Sequence, residues 1–242
     1  MGLLLFAGGR LKNSMKKLWS IIFVILVVLT VVLKVIIYSK EKQELANLRQ
    51  SAEQGNAEAQ YSLGLMYSSG DGIPKDKAEA AKWYLKAAEQ EDASAQMNLG
   101  YLYSSGDGIP KDETEGEKWY RKSAEQGNAN AQYSLGLMYW SELRQFLDIP
   151  KDDTEAVKWF GKSADQGNAV GQRYLALMYY FGFGVPVDEV AAYMWNILAS
   201  AQGDEIAKAG IDEISLEMTE EQIAEAQNLS REWMAKHSEK NK

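Results

Sequence analysis

The sequence predicts an all-α protein: a right-handed α-solenoid of helix-turn-helix repeats, preceded by one transmembrane helix. Three observations carry this expectation. A segment beginning near Ala52 copies itself four times. Each copy holds two sets of helix-start residues separated by a turn with a proline, which in three of the four copies also carries glycines. An apolar run of 21 residues, Leu18 to Tyr38, precedes the copies.

The run "LWSIIFVILVVLTVVLKVIIY" would reach ~31 Å as a helix, about the hydrocarbon thickness of a bilayer. Lys34 is its one charge and lies near an end, where it can snorkel to the headgroups. A cleavable signal peptide has a shorter apolar core followed by small residues. Here "VIIYSKEKQ" follows, so an uncleaved signal anchor is expected. Residues 1–17 form the cytoplasmic segment, 18–38 the anchor, and 39–51 a connecting and capping helix. Arg10, Lys12, Lys16 and Lys17 before the run place that end in the cytoplasm by the positive-inside rule. If translation starts at Met15, that balance weakens, and a cytoplasm-facing body becomes the rival topology. The expected location is a bacterial inner membrane, crossed once, with the repeat domain in the periplasm and close to the bilayer.

The repeats occupy residues 52–199. Pro74, Pro110, Pro150 and Pro186 are spaced 36, 40 and 36 residues apart, and Trp83, Trp119, Trp159 and Trp195 keep the same spacing. Fixed self-similarity at this period marks stacked supersecondary units. Asn56, Asp92, Asn128 and Asn168 are N-cap residues for the first helix of each unit. "SSGDGIPKD", at Ser68–Asp76 and again at Ser104–Asp112, ends that helix at glycine. Asp76, Asp112 and Asp152 then start the second helix, with Glu79, Glu115 and Glu155 at capping-box spacing. The same nine residues fit no ligand loop. Lys75 is followed by Asp76 rather than Ser or Thr, and Lys82 stands where a calcium loop needs its closing glutamate. The expected core comprises the tryptophans, Tyr67 and its equivalents, and recurring small residues such as Gly64, Gly100, Gly136 and Ala176. Residues 200–242 form C-terminal capping helices and a tail. Thr219 and Gln222 offer a capping box there, and Ile223, Ala226, Leu229 and Trp233 an apolar face.

Composition narrows the chemistry. The chain has no cysteine, and its one histidine is His237. Thiolate chemistry, disulfides and histidine metal clusters are therefore excluded from the repeats. Beyond residue 40 the chain carries 20 basic and 34 acidic residues, a poor nucleic-acid binder. No cofactor or metal is expected. The Ser14–Lys17 match to Ser-x-x-Lys lies beside the apolar run and carries no catalytic reading.

The patterns A-x-x-x-L-G-x-x-Y, G-x-G-[IV]-P-x-D and A-x-x-W-[YF] resemble the Sel-one-like repeat (SLR) family, relatives of tetratricopeptide solenoids. The resemblance implies a non-enzymatic scaffold or adaptor whose partner is another protein. Membrane or periplasmic members imply a narrower role, an immunity protein that neutralises a secreted phospholipase effector. Cysteine-rich members imply a chemical alternative, a periplasmic hydrolase of β-lactamase type, but their paired cysteines are missing here.

Positions that vary among the copies mark a candidate binding stripe on the first helices. They are Glu58 and Ser62 in the first copy, Ser94, Asn98 and Tyr101 in the second, Asn130 and Ser134 in the third, and Val170, Tyr174 and Phe181 in the fourth. Spacings of four and three place them on one helix face. Variation is read here as freedom from stacking. The third copy also inserts four residues, in "YWSELRQFLDIPKD". Its Trp140, Arg144 and Phe146 either tuck into the fold or anchor the partner.

Overall fold

The computed structural model describes the backbone of residues 2–140 and 152–240. Among residues 2–27 it describes the side chains of Trp19, Phe23 and Leu26 alone, and at the other end side chains through Ser238. The predicted anchors Arg144 and Phe146 lie outside the described residues. The described residues form eleven helices and no strand.

Two units are described separately, residues 1–54 and 55–242. The first is one helix, α1 (Gly2–Glu53), which runs unbroken through the predicted anchor and connecting segment. From Val28 to Tyr38 its large apolar side chains are exposed on all faces. Among the described residues no helix is long and apolar enough to cross a membrane. The Leu18–Tyr38 run includes positions whose side chains lie outside them.

The second unit is a stack of helix pairs. The first is α2 (Ala57–Ser69) with α3 (Lys77–Ala88), and the second is α4 (Ala93–Ser105) with α5 (Glu113–Glu125). Next come α6 (Ala129–Trp140) with α7 (Asp153–Asp165), and α8 (Ala169–Phe181) with α9 (Glu189–Ser200). Each helix packs on the one before and the one after it. First helices start where predicted: the Asn56, Asp92, Asn128 and Asn168 side chains accept the N–H three residues on, at 2.7–3.0 Å. α2, α4 and α8 stop at glycines with positive φ, as Gly70 does at 85° while donating to Met66 O.

The Asp76, Asp112 and Asp152 caps also hold. The reciprocal half of the predicted capping box does not. The Asp76 N–H instead donates 2.8 Å to the carbonyl of Tyr67, and Asp112, Asp152 and Asp188 repeat this bond to Tyr103, Tyr139 and Tyr179. A backbone acceptor from the preceding helix thus takes the donor that the N3 glutamate would have used. The glutamates pair with lysines one turn on: Glu79 with Lys82, Glu115 with Lys118, Glu155 with Lys158.

The turn also has a stacking role. A methyl at Gly108 would lie 2.5 Å from Lys77 Cβ, and one at Gly184 would lie 2.4 Å from the Asp153 carbonyl carbon. The second glycine therefore lets these two turns rest on the start of the preceding second helix. Asp107 completes this contact with an ion pair to Lys77.

Two further helices close the stack: α10 (Glu205–Ser215), capped by Asp204, and α11 (Glu220–Lys240), both packed on α9. Thr219 and Gln222 form a full capping box, with both bonds made. The buried face of α11 runs through Ile223, Ala226, Ser230 and Trp233, whereas Leu229 is exposed. The predicted face was wrong at Leu229 because 3.6 residues per turn bring position 230, not 229, into line. Trp233 meets Trp195 edge-on at 6.1 Å.

Candidate protein-binding face

The face of the first helices is built on a tightly fitted interior. A methyl at Gly64 would lie 2.6 Å from the Tyr84 ring, at Gly100 2.8 Å from Tyr120, and at Gly136 2.6 Å from Phe160. The fourth copy has Asn196 where the others have an aromatic ring, and Ala176 where they have glycine. The small residue and the ring are one matched pair, varied together. Lysines cover the tryptophans from outside. Lys86, Lys122 and Lys162 lie 3.8, 4.3 and 4.0 Å from the ring centroids of Trp83, Trp119 and Trp159. The fourth copy has Leu198 at that position, and Trp233 supplies the ring contact instead.

A buried polar ladder runs through the same interior. Gln60, Gln96, Gln132 and Gln172 are buried. Their Oε1 atoms accept from Gln90, Gln126, Gln166 and Gln202 at 2.7–2.9 Å. Gln96 and Gln132 each donate 3.0 Å to the carbonyls of Ala88 and Ala124 in the preceding unit. A buried amide left unpartnered costs ~1–3 kcal/mol, so the ladder fixes how one unit sits on the next. Recurrence of glutamine at the repeat spacing was the sequence signal for it.

The predicted stripe divides on this scaffold. Asn98 lies near the Tyr84 hydroxyl and Ser134 near that of Tyr120, and each partly offsets the effect of burial on its phenol. Phe160 has no hydroxyl, and Tyr174 stacks on it instead, at 5.3 Å and 20°. In the fourth copy this position is thus engaged in stacking, so variation there is not freedom from it. Burial pushes the Tyr120 phenol up to about 12, and burial with Tyr174 beside it does the same for Tyr133.

Ser62, Ser94 and Val170 are half-buried. The outer positions are open. Glu58 and Asn130 are exposed, Tyr101 is half exposed with Lys77 5.9 Å from its ring, and Phe181 stands at the far end of the stripe. Asn130 accepts 2.8 Å from Asn168 of the next copy. Trp140 takes the inward course, edge-on to Tyr174 at 5.8 Å and 6.3 Å from Phe183. Among the described residues no group of His, Asp and Glu side chains could hold a metal ion.

Four consecutive matches to the Sel1 repeat model cover residues 57–92, 93–128, 129–168 and 169–204. The chain belongs to the Sel1 repeat family. Sel1 repeats generally mediate protein–protein interaction, and the family is typically a non-catalytic scaffold. This Sel1 repeat chain is similar to a protective antigen of uropathogenic Escherichia coli strains with an SLR fold. Identity is 34% and the TM-score 0.72, over 79% of this chain and 40% of that one. It therefore spans two-fifths of the antigen's length. It is also similar to a Sel1 repeat protein from Oxalobacter formigenes, at 35% identity and TM-score 0.63, over 72% of this chain and 71% of that one. No curated protein matches it.

Proposed function

We propose that this Sel1 repeat protein is a membrane-tethered scaffold that binds another protein along the outer edge of its first helices. One observation carries the binding reading. Glu58, Tyr101 and Asn130 occupy the open positions of successive first helices, while Trp140 and Tyr174 of the same face pack inward. A repeated, rigid, solvent-facing row with an aromatic side chain is what a protein partner can grip. The tether rests on the Leu18–Tyr38 run and on the apolar side chains exposed all around α1, a pattern suited to lipid. The basic residues before the run favour a periplasmic body at a bacterial inner membrane. Neutralisation of a secreted phospholipase is the narrower form of this reading, supported by the acidic body and the tether.

The test joins two measurements on the full chain. A C-terminal alkaline phosphatase fusion is expected to be active, and a C-terminal fluorescent fusion dark. The opposite result places the repeats in the cytoplasm. Affinity capture after crosslinking is expected to recover a partner with the native chain and to lose it with Tyr101→Arg plus Asn130→Arg. Retained capture by that folded variant moves the interface elsewhere.

A further inference from the structure

The C-terminal end of the stack carries a surface unlike the rest. Tyr180 and Phe181 end α8 and meet edge-on at 4.9 Å, and Phe181 stacks on Phe183 at 5.6 Å. Phe181 is nonetheless 56% exposed. Val187, across the turn, is close enough to Gly182 that a methyl there would lie 2.9 Å from its Cγ2, and it is 61% exposed. Leu216, which ends α10, is 86% exposed. Its neighbour Glu217 accepts the Tyr180 hydroxyl at 3.3 Å, which fixes α10 beside the aromatic pair.

Carboxylates lie near Tyr180 on this surface. Glu217, Glu213 and Glu189 all act on the Tyr180 phenol, which desolvation and these charges together hold above its ordinary range. None of the three forms an ion pair with a basic side chain among the described residues. The nearest stretch, Glu205 to Glu225, has Lys208 as its one basic residue, and that lysine faces Glu205. On the repeats Glu79, Glu115 and Glu155 pair with lysines and Glu117 with Arg121, whereas Glu58, Glu89, Glu91 and Glu125 form no ion pair among the described residues; what sets the cap end apart is the apolar surface beside its acids. Unpaired acids around exposed aromatic and aliphatic anchors repel phosphate backbones and anionic lipid headgroups alike. They complement a polypeptide that offers both apolar side chains and positive charge.

We propose that the Tyr180–Phe181–Leu216 surface with Glu189, Glu213 and Glu217 docks a basic amphipathic segment of a partner protein. The segment's apolar side chains cover Phe181 and Leu216, and its lysines or arginines meet the three carboxylates. This rests on the protein-binding reading and adds to the first-helix row a second contact at the cap end.

The experiment uses the full chain in zwitterionic detergent and fluorescence anisotropy of short labelled peptides. One peptide carries lysines with two phenylalanines, a second replaces its lysines by glutamates, and a third replaces its phenylalanines by alanines. The lysine–phenylalanine peptide is expected to bind, and the other two at least about tenfold more weakly. Glu213→Gln with Glu217→Gln, and separately Phe181→Ala, are each expected to weaken binding about tenfold or more. Leu216→Ala, at a nearly bare position, repeats the second test without disturbing the fold. Tyr101→Arg is expected to leave peptide binding unchanged. Absence of binding, equal binding of the glutamate peptide, or indifference to the glutamine and Leu216 variants overturns the proposal. A chain that captures its cellular partner through Tyr101 yet ignores the basic peptide overturns this inference alone.

Discussion

Gly136→Ala separates interlocking from helix propensity because the two predict opposite signs. Alanine is favoured over glycine in a helix interior by ~1 kcal/mol, so propensity alone predicts stabilisation. Stacking predicts the reverse. The added methyl would lie 2.6, 2.7 and 3.1 Å from Cδ1, Cε1 and Cγ of Phe160. That ring is fully buried, with Tyr174 stacked 5.3 Å away and Tyr133 6.3 Å away, so it has no free direction in which to move. Overpacking a well-fitted core costs ~1–3 kcal/mol. The clash is severe enough to place the cost in the upper part of that range, leaving a net loss of ~1–2 kcal/mol. Ala176→Gly supplies the control. Asn196 stands opposite it in place of a ring, the methyl is already accommodated, and its removal should cost ~1 kcal/mol. Urea denaturation followed by far-ultraviolet circular dichroism measures both. A gain of ~1 kcal/mol for Gly136→Ala would refute the matched-pair account.

Three other outcomes follow from the same structure. Trp119→Ala removes a buried indole with neighbouring units on both sides and should cost ~3–5 kcal/mol, beginning locally in hydrogen exchange; a loss below ~1 kcal/mol takes it out of the core. Gln132→Leu removes the bonds to the Gln166 amide and the Ala124 carbonyl and should cost ~0.5–1.5 kcal/mol, whereas an unchanged denaturation midpoint would make the ladder incidental. Burial raises the Asp204 carboxyl pKa, but the Ala207 N–H and Arg173, 2.9 Å away, outweigh it and hold the group below its ordinary 3.8. The depressed carboxylate stabilises the fold above that value and loses its effect as pH falls through the folded pKa; Asp204→Asn, which keeps the cap, should show a melting deficit at neutral pH that closes below about pH 4, and a deficit independent of pH would contradict the assignment.

Much of the fold was legible because each helix carries its own start and stop. Asn56, Asp76 and Gly70 act within a few residues of themselves, so local chemistry specifies them without knowledge of the partner helix. The Gly64, Gly100 and Gly136 series was legible as close approach, but the ring it accommodates became visible only in three dimensions. Where a bond crosses between helices, residue type misled. Glutamine reads as a surface residue, yet Gln96 is buried because its amide has partners on two other segments. Glu79 has the right spacing to bond back to Asp76, but the Tyr67 carbonyl reaches that donor first. Tyr174 looked tolerant because its position varies among copies, yet it stacks on Phe160, a contact between helices that the sequence does not display. The exposed Tyr101 and Phe181 were legible as stripe positions. The unpaired Glu213 and Glu217 beside Phe181 were not, because no repeat register aligns the cap with the turn it faces.

The central claim is that the first-helix row grips a protein, and site-specific photocrosslinking in living cells tests it most directly. A photoreactive residue replaces Tyr101 or Asn130 on the first helices, or the exposed Lys82 or Lys118 on the second. The account predicts one discrete adduct of the same mass from positions 101 and 130 and none from 82 and 118. Adducts from 82 and 118 alone, or no adduct at any of the four, would contradict it.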